Sequence, residues 1–171
     1  MKKFVKLILI FAFVFVCLIS TKVSAFPPSS SSLYTGIDVS EWQGNINWRE
    51  VKNAGIQVVY IRSSEGSGYI DADAIRNYNG AKANGIKVGF YHYLTARNQS
   101  EAIEQAEFFV SVIKELEIDC RLAMDFESFG DLGTYEINLI SETFLEEVER
   151  LSGKEVIIYS DAYNAAYTFS S

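Results

Sequence analysis

The stretch RLAMDFE, residues 121–127, is a short apolar run that ends in two carboxylates, Asp125 and Glu127. Side chains of a β-strand alternate between the two faces of a sheet, so both acids are expected on one face and Phe126 on the other. This spacing puts their Cβ atoms about 6.5–7 Å apart, twice the rise per residue of a strand. The alternative is a strand end whose carboxylates only meet solvent or cap the next helix.

Paired acids have a distinct chemistry. Two neighbouring carboxyl groups repel each other once both are ionised, which raises one pKa and leaves the other low. The pair then offers a proton donor and a standing negative charge, the combination that cleavage of a glycosidic bond requires. The spacing alone leaves open which of the two acids keeps its proton.

Strand-like and helix-like segments alternate on both sides of this stretch. Strand candidates rich in Val, Ile and Tyr lie at residues 36–40, 57–63, 87–94, 121–127 and 155–161. Helix candidates lie at 48–53, 72–84, 100–116 and 137–151, and three of them stop at a glycine. Strands that recur every 20 to 35 residues with a helix between them predict βαβ units, a parallel sheet and an α/β fold.

Polar side chains gather at the carboxyl ends of the predicted strands, the edge of a parallel sheet where active sites lie. They are Asp38, Arg62, Tyr93, Asp125, Glu127 and Asp161. The segment after Gly36 lacks the second and third glycines of a dinucleotide-binding loop, which disfavours nucleotide binding.

Residues 1–25 have the pattern of a signal peptide. Lysines at positions 2, 3 and 6 precede an apolar run at 7–19, and Val23-Ser24-Ala25 is typical of a cleavage site. The apolar run is short for a membrane span, so we expect secretion to the exterior or the cell wall without stable membrane insertion. Residues 26–35, which contain a serine run, are expected to form a flexible lead-in to a single domain at 36–171.

Charge and composition exclude several classes of partner. Cleavage after residue 25 removes four lysines and no acids, so the formal net charge changes from −7 to −11. Nucleic-acid binding is not expected of such an acidic chain, because phosphate contacts need clustered Lys and Arg. Only Cys120 remains in the mature chain, and His92 is its only histidine, so neither a disulfide nor a metal site is expected. We expect a monomer without cofactors.

Five segments match the pattern of one family, in order along the chain. They are GIDVSEWQG (36–44), YIRSSEGSGYID (60–71), GFYHY (89–93), MDFE (124–127) and IYSDAY (158–163). Together they resemble the glycoside hydrolase family 25 lysozymes, secreted or phage-borne N-acetylmuramidases that cut bacterial peptidoglycan. The resemblance implies an irregular TIM-like β/α barrel and hydrolysis of the β-1,4 bond between N-acetylmuramic acid and N-acetylglucosamine in peptidoglycan glycan strands.

The resemblance also implies roles for individual residues. Glu127 would be the general acid, so we expect its pKa to be raised by the charge of Asp125 and by partial burial. Asp125 would be a second carboxylate that stabilises the transition state, assists through the substrate acetamido group or acts as a nucleophile. Asp38 matches a further acid of the active site. Tyr91 or Tyr93, together with Tyr159, would line the substrate groove.

Four other side chains have interpretations that do not depend on the acid pair. Arg62 stands where the family usually has lysine, and it is either a substrate contact or a partner for Asp38 or Asp125. A hydrogen-bonded structural role is expected for His92. Core or rim packing is expected for Trp42 and Trp48, rather than a platform for sugars.

The match covers about five strands, and it stops before the last strands and the late active-site aspartate of the family. We therefore expect an incomplete barrel from a truncated chain. This motivates a second hypothesis, an inactive remnant that binds cell-wall polysaccharide without cleaving it. A third, a polysaccharide deacetylase or another hydrolase on an open sheet, would be favoured by a metal requirement, for which the sequence has no ligand cluster.

Overall fold

A computed structural model describes residues 33–169 of the chain. The predicted signal peptide at 1–25, residues 26–32 of the predicted lead-in, and residues 170 and 171 lie outside the described residues. Within 33–169, no helix has the length and apolar character needed to cross a membrane.

Strands and helices alternate along the described chain. The strands are β1 (Gly36–Val39), β2 (Val58–Glu65), β3 (Tyr69–Ile70), β4 (Lys87–Tyr93), β5 (Leu122–Asp125) and β6 (Val156–Tyr159). The helices are α1 (Trp48–Asn53), α2 (Ala74–Ala83), α3 (Gln99–Ile113), α4 (Thr134–Ser152) and α5 (Ala162–Tyr167), and a 3-10 helix spans Glu41–Gln43. The alternation predicted from the sequence is confirmed.

Five of the strands form one parallel sheet. The order along the sheet is β1-β2-β4-β5-β6, and the short β3 pairs antiparallel with the end of β2. The pairs β1–β2, β2–β4, β4–β5 and β5–β6 are all parallel. The predicted α/β fold with about five parallel strands is therefore confirmed.

One face of the sheet forms the hydrophobic core with the helices. Val59, Ile61, Phe90 and Met124 point to this face and are fully buried. Helix α4 contributes a buried stripe at helical spacing, consisting of Ile137, Ile140, Phe144 and Val148. Because the helices cover this face, the alternate residues of each strand are left to form the opposite, inner face.

Helix α4 shows how the sequence ends these elements. The Glu136 carboxylate accepts a hydrogen bond of 2.8 Å from the amide of Gly133, at the N-terminus of the helix. Gly153 ends the helix with φ +66°, in the left-handed region that a side chain disfavours. The helix begins three residues before the predicted start at residue 137.

Candidate active site

The inner face of the sheet carries a row of polar side chains across the strands. In the register of the sheet, Tyr93 of β4 pairs with Asp125 of β5, which pairs with Tyr159 of β6. Side chains of paired residues in parallel strands lie side by side on one face. The structure therefore brings together three of the residues predicted for the site, with the carboxylate between the two tyrosines.

Asp125 is the last residue of β5, and its side chain is mostly buried, with 8% of the residue exposed. Burial raises the pKa of Asp125 to about 7, with further contributions from the charges of Glu127 and Asp38, and Arg62 opposes the shift. Its Oδ1 atom is buried and has no hydrogen-bond partner among the described residues. An acid in this state keeps its proton up to neutral pH and has an oxygen free for a ligand.

Glu127 differs from the prediction in its surroundings. The strand ends at Asp125 rather than at residue 127, so Glu127 follows the strand and its side chain is exposed. The expected partial burial of Glu127 is wrong, and the carboxyl group whose pKa is raised by burial is that of Asp125. The physical reason is that burial, the largest cause of the shift, acts on the residue that still lies within the sheet.

The other predicted acid and tyrosines lie close enough to share one electrostatic environment. Asp38, the exposed third residue of β1, raises the pKa of Asp125, Tyr91 and Tyr159 by its charge. The pKa of Tyr93 is raised by burial first, and then by the charges of Asp125 and Glu127. The inner face is therefore a region of concentrated negative charge, lined by tyrosines.

Arg62 is the positive charge of this region, and its ion pairs are with residues outside the predicted set. Nε donates to Asp71 at 2.9 Å, one terminal nitrogen to Glu41 at 3.2 Å and the other to Glu65 at 3.4 Å. Burial acts to lower the pKa of Arg62, but the hydrogen bond and the charge of Asp71, together with the charges of Tyr91 and Glu65, raise it overall. An ion pair with Asp38 or Asp125 was expected as one alternative, and that alternative is wrong.

The arginine network was only partly visible in the sequence. Asp71 is 2% exposed, and its Oδ2 atom also accepts a hydrogen bond from the amide of Glu41 at 3.1 Å. Glu41 was not predicted to have any role. The available signal was the S-x-x-Q capping box formed by Ser40 and Gln43, which fixes the turn that presents Glu41.

A close approach between two strands explains one glycine of the inner face. A Cβ atom placed on Gly89 would lie 2.6 Å from the Tyr60 ring, which is less than real Cβ contacts allow. The ring of Tyr60, which pairs with Gly89 in the sheet, therefore occupies the space of the missing side chain. Tyr60 is a further inner-face residue that the sequence analysis did not select.

His92 points to the opposite face, as predicted for a structural histidine. Its ring lies between Phe109 and Phe144, with centroid distances of 5.5 and 5.4 Å. Nε2 lies 3.3 Å from Oε1 of Gln105 and Nδ1 lies 2.9 Å from the Ser64 hydroxyl. The amide oxygen only accepts, so we assign the proton to Nε2 and let Ser64 donate to Nδ1. Burial lowers the pKa of His92 to about 4.

Within the described part of the chain, no three His, Cys, Asp or Glu side chains are grouped so that they could hold a metal ion.

Trp48 is 7% exposed, in agreement with the expected packing role, whereas Trp42 is 79% exposed. Packing in the core is thus wrong for Trp42, because the 3-10 helix that carries it lies on the surface.

Residues 37–168 match the sequence model of the family described as "Glycosyl hydrolases family 25". The chain belongs to this family, and the predicted resemblance is confirmed. It is 42% identical over 92 residues to the autolytic lysozyme of Clostridium acetobutylicum, a match covering 54% of this chain and 28% of that protein. It is 34% identical over 140 residues to the uncharacterized protein YegX of Escherichia coli K12, covering 79% of this chain and 50% of YegX. The match thus spans half or less of these relatives.

Solved structures share the fold. The bacterial lysozyme from Streptomyces coelicolor superposes with a TM-score of 0.65 at 30% identity, covering 80% of this chain and 67% of that chain. The modular autolysin LytC from Streptococcus pneumoniae, solved in complex with a synthetic peptidoglycan ligand, gives a TM-score of 0.70 at 21% identity. That match covers 78% of this chain and 33% of LytC, and at this identity it shows the fold alone.

Proposed function

We propose that the protein is a muramidase, which hydrolyses the β-1,4 bond between N-acetylmuramic acid and N-acetylglucosamine in peptidoglycan. The observation that carries the proposal is the Asp125–Glu127 pair at the carboxyl edge of β5, in which one acid holds its proton up to about pH 7. Membership of the family supports the same reaction. The similarity to the autolytic lysozyme of Clostridium acetobutylicum, which extends over 54% of this chain, supports it as well.

The two acids are suited to share one proton. Asp125 holds it in the free protein, because Asp125 is the more buried of the two. A saccharide that covers the exposed Glu127 removes water from it, and this raises the free-energy cost of its ionisation. The proton then moves to Glu127, which becomes the general acid, while Asp125 becomes the carboxylate.

The reaction balances with this single proton. Glu127 protonates the bridging oxygen as the bond between that oxygen and the anomeric carbon breaks, and the charge of Asp125 stabilises the positive sugar that forms. A water molecule supplies the hydroxyl group that adds to the anomeric carbon, and its remaining proton returns to the acid pair. Asp38 contributes further negative charge, since its field reaches Asp125.

The surroundings of the pair suit a saccharide. Tyr93 and Tyr159 flank Asp125 in the sheet and offer ring faces for the apolar sides of a pyranose, as well as hydroxyl groups for hydrogen bonds. We assign Tyr91 and Arg62 to the wall of the same groove. Tyr91 has a raised pKa, caused mainly by burial, so its hydroxyl group remains a hydrogen-bond donor at every pH of interest.

The proposal includes export. Residues 1–25 have the pattern of a signal peptide, residues 26–35 serve as a lead-in, and residues 36–171 form the catalytic domain as a monomer. The substrate lies outside the cell membrane, which agrees with export. Mass spectrometry of protein recovered from the culture medium tests this point, because cleavage after Ala25 predicts a mature chain that begins at Phe26.

The enzymatic test uses purified cell walls and the full chain. We expect new reducing sugar ends, and we expect Glu127→Gln to lower turnover by about 10²–10⁴-fold because the amide cannot donate the proton. Glu117→Gln is the matched control, since Glu117 is an exposed acid on the loop that leads into the start of β5, at the other end of the strand from Asp125. Release of new amino groups instead of reducing ends would contradict the proposal. So would binding to walls without any turnover, which is the behaviour of an inactive remnant.

A further inference from the structure

An exposed tryptophan stands at the rim of the candidate active site. Trp42 lies four residues after Asp38, in the 3-10 helix Glu41–Gln43 that follows β1, and 79% of the residue is exposed. A single exposed aromatic residue is ordinary by itself, so it is the place of Trp42 at the carboxyl end of β1 that makes it a candidate for substrate binding.

The backbone that carries Trp42 is held by several hydrogen bonds. The Ser40 hydroxyl group accepts from the Trp42 amide at 3.3 Å, and the Gln43 side chain accepts from the Ser40 amide at 2.6 Å. The amide of Gly44 donates to the carbonyl of Glu41 at 3.0 Å. A surface tryptophan on a braced turn is pre-organised, so little backbone entropy is lost when a ligand contacts it.

The same turn is tied to the candidate active site through Arg62. Glu41, next to Trp42, accepts from Arg62 at 3.2 Å and from the Tyr69 hydroxyl. Tyr69 is 40% exposed, and its ring lies 5.7 Å from the Arg62 guanidinium carbon. The charge of Arg62 acts in turn on Asp125. Trp42 and Tyr69 therefore both adjoin Glu41, whose ion pair with Arg62 connects them to the surroundings of Asp125.

We infer that Trp42, with Tyr69 beside it, is a remote sugar-binding platform that recognises a pyranose ring of the glycan strand away from the bond that is cleaved. The flat face of an indole suits the apolar face of a pyranose. A glycan strand bound across Asp125 and continuing past β1, the edge strand of the sheet, would reach Trp42. The inference rests on the proposed function, because it names a further part of the same substrate. It makes the enzyme favour long glycan strands over short ones.

Two substrates of different length test the platform. On solubilised peptidoglycan strands, Trp42→Ala is expected to lower kcat/KM on the order of tenfold, mainly through KM, because the lost contact binds substrate and transition state equally. On a tetrasaccharide of alternating N-acetylglucosamine and N-acetylmuramic acid, the same variant should match the parent. Trp42→Phe should restore most of the loss. Tyr34→Ala is the control, since Tyr34 is an exposed aromatic residue beside Lys87, at the amino ends of the strands and so at the other end of the sheet from Trp42.

Fluorescence gives a readout that does not depend on turnover. The chain has two tryptophans, and Trp48 is 7% exposed, so acrylamide quenches mainly Trp42. Long glycan strands should protect Trp42 from acrylamide in the Glu127→Gln variant as well as in the parent. If the parent cleaves neither substrate but its tryptophan is protected, the proposed function fails and the platform stands.

Three results would overturn the inference. One is an equal loss on both substrate lengths, which would indicate damage to the acid pair. Another is the absence of saccharide protection from acrylamide. The third is protection that grows with protein concentration alone, which would show that a second copy of the chain covers Trp42.

Discussion

Two buried groups of this protein respond to acid in opposite directions, and their effects on stability can be separated. The pKa of His92 is about 4 in the folded protein, below the ordinary value of 6.5. The pKa of Asp125 is about 7, above the ordinary value of 3.8. The relevant quantity is the change in the free energy of unfolding between pH 7.5 and pH 4.5.

The sign for His92 follows from which state binds more protons. Between pH 6.5 and 4 the unfolded state is protonated at this residue and the folded state is not, so acidification destabilises the fold. The contribution is fully present above pH 6.5 and is lost as the pH falls toward 4. Between pH 7.5 and 4.5 the loss is about 2.5 kcal/mol.

The sign for Asp125 is the reverse. Between pH 3.8 and 7 the folded state holds a proton that the unfolded state has released, so acidification stabilises the fold. This contribution is present at low pH and is lost as the pH rises through 7. Over the same interval it amounts to about 2–3 kcal/mol, so the two groups nearly cancel in the parent protein.

Single substitutions expose each effect. Relative to the parent, Asp125→Asn should lose about 2–3 kcal/mol of stability on going from pH 7.5 to 4.5. His92→Gln, which keeps a donor and an acceptor but does not ionise, should gain about 2.5 kcal/mol over the same interval. The two residues lie on opposite faces of the sheet, so the double variant should show the sum of the changes.

Urea denaturation followed by far-ultraviolet circular dichroism, at four pH values from 4.5 to 7.5, measures these differences. Titrations common to all variants, such as that of Asp119, cancel in the comparison. If His92→Gln shows the same pH dependence as the parent, the histidine is not held neutral by burial. If Asp125→Asn does, burial does not keep Asp125 protonated, and the proposed shared proton fails with it.

Three further predictions concern the site and its support. Gly89→Ala should destabilise the fold by about 1–3 kcal/mol in thermal melts, because its Cβ would lie 2.6 Å from the Tyr60 ring; unchanged melting would refute that close approach. Arg62→Met should destabilise by about 3–5 kcal/mol in urea, because it leaves Asp71 buried without its partner, and Arg62→Lys should lose less; equal losses would show that charge plays no part. Hydrolysis of cell walls should decline as the pH rises through about 7, where the acid pair loses its shared proton, and a rate that still increases above pH 8 would contradict this.

The elements that were predicted well carry local signals, such as an apolar run or a glycine just after the end of a helix. Helix α1 has the predicted bounds of 48–53, and each of the five predicted strands overlaps an observed strand, although β2 runs two residues beyond its predicted end at 63. The missed elements are short: β3 has two residues, the 3-10 helix has three and α5 has six. None of these is long enough to show a hydrophobic period, and β3 exists only because the chain turns back on β2 after Glu65.

The partners of Arg62 show what local patterns leave undetermined. Asp71 is nine residues away in sequence, and Glu41 is twenty-one residues before the arginine. Both reach it only through the fold, because β3 folds back on β2 and the turn after β1 lies beside it. The residue type of Arg62 allowed either a substrate contact or an ion pair, and the choice among several nearby carboxylates depended on tertiary structure.

In the proposed mechanism, which of the two acids carries the proton depends on where β5 ends. Asp125 is the last residue paired with both β4 and β6, so its neighbours in the sheet, Tyr93 and Tyr159, help to exclude water from it. Glu127 lies two residues later, beyond the pairing, where solvent reaches it and a substrate can cover it. In the proposed mechanism, burial by the protein keeps the proton on Asp125, and burial by the ligand transfers it to Glu127. Were the strand two residues longer, both carboxyl groups would be buried before substrate arrived, and binding could no longer decide which of them holds the proton.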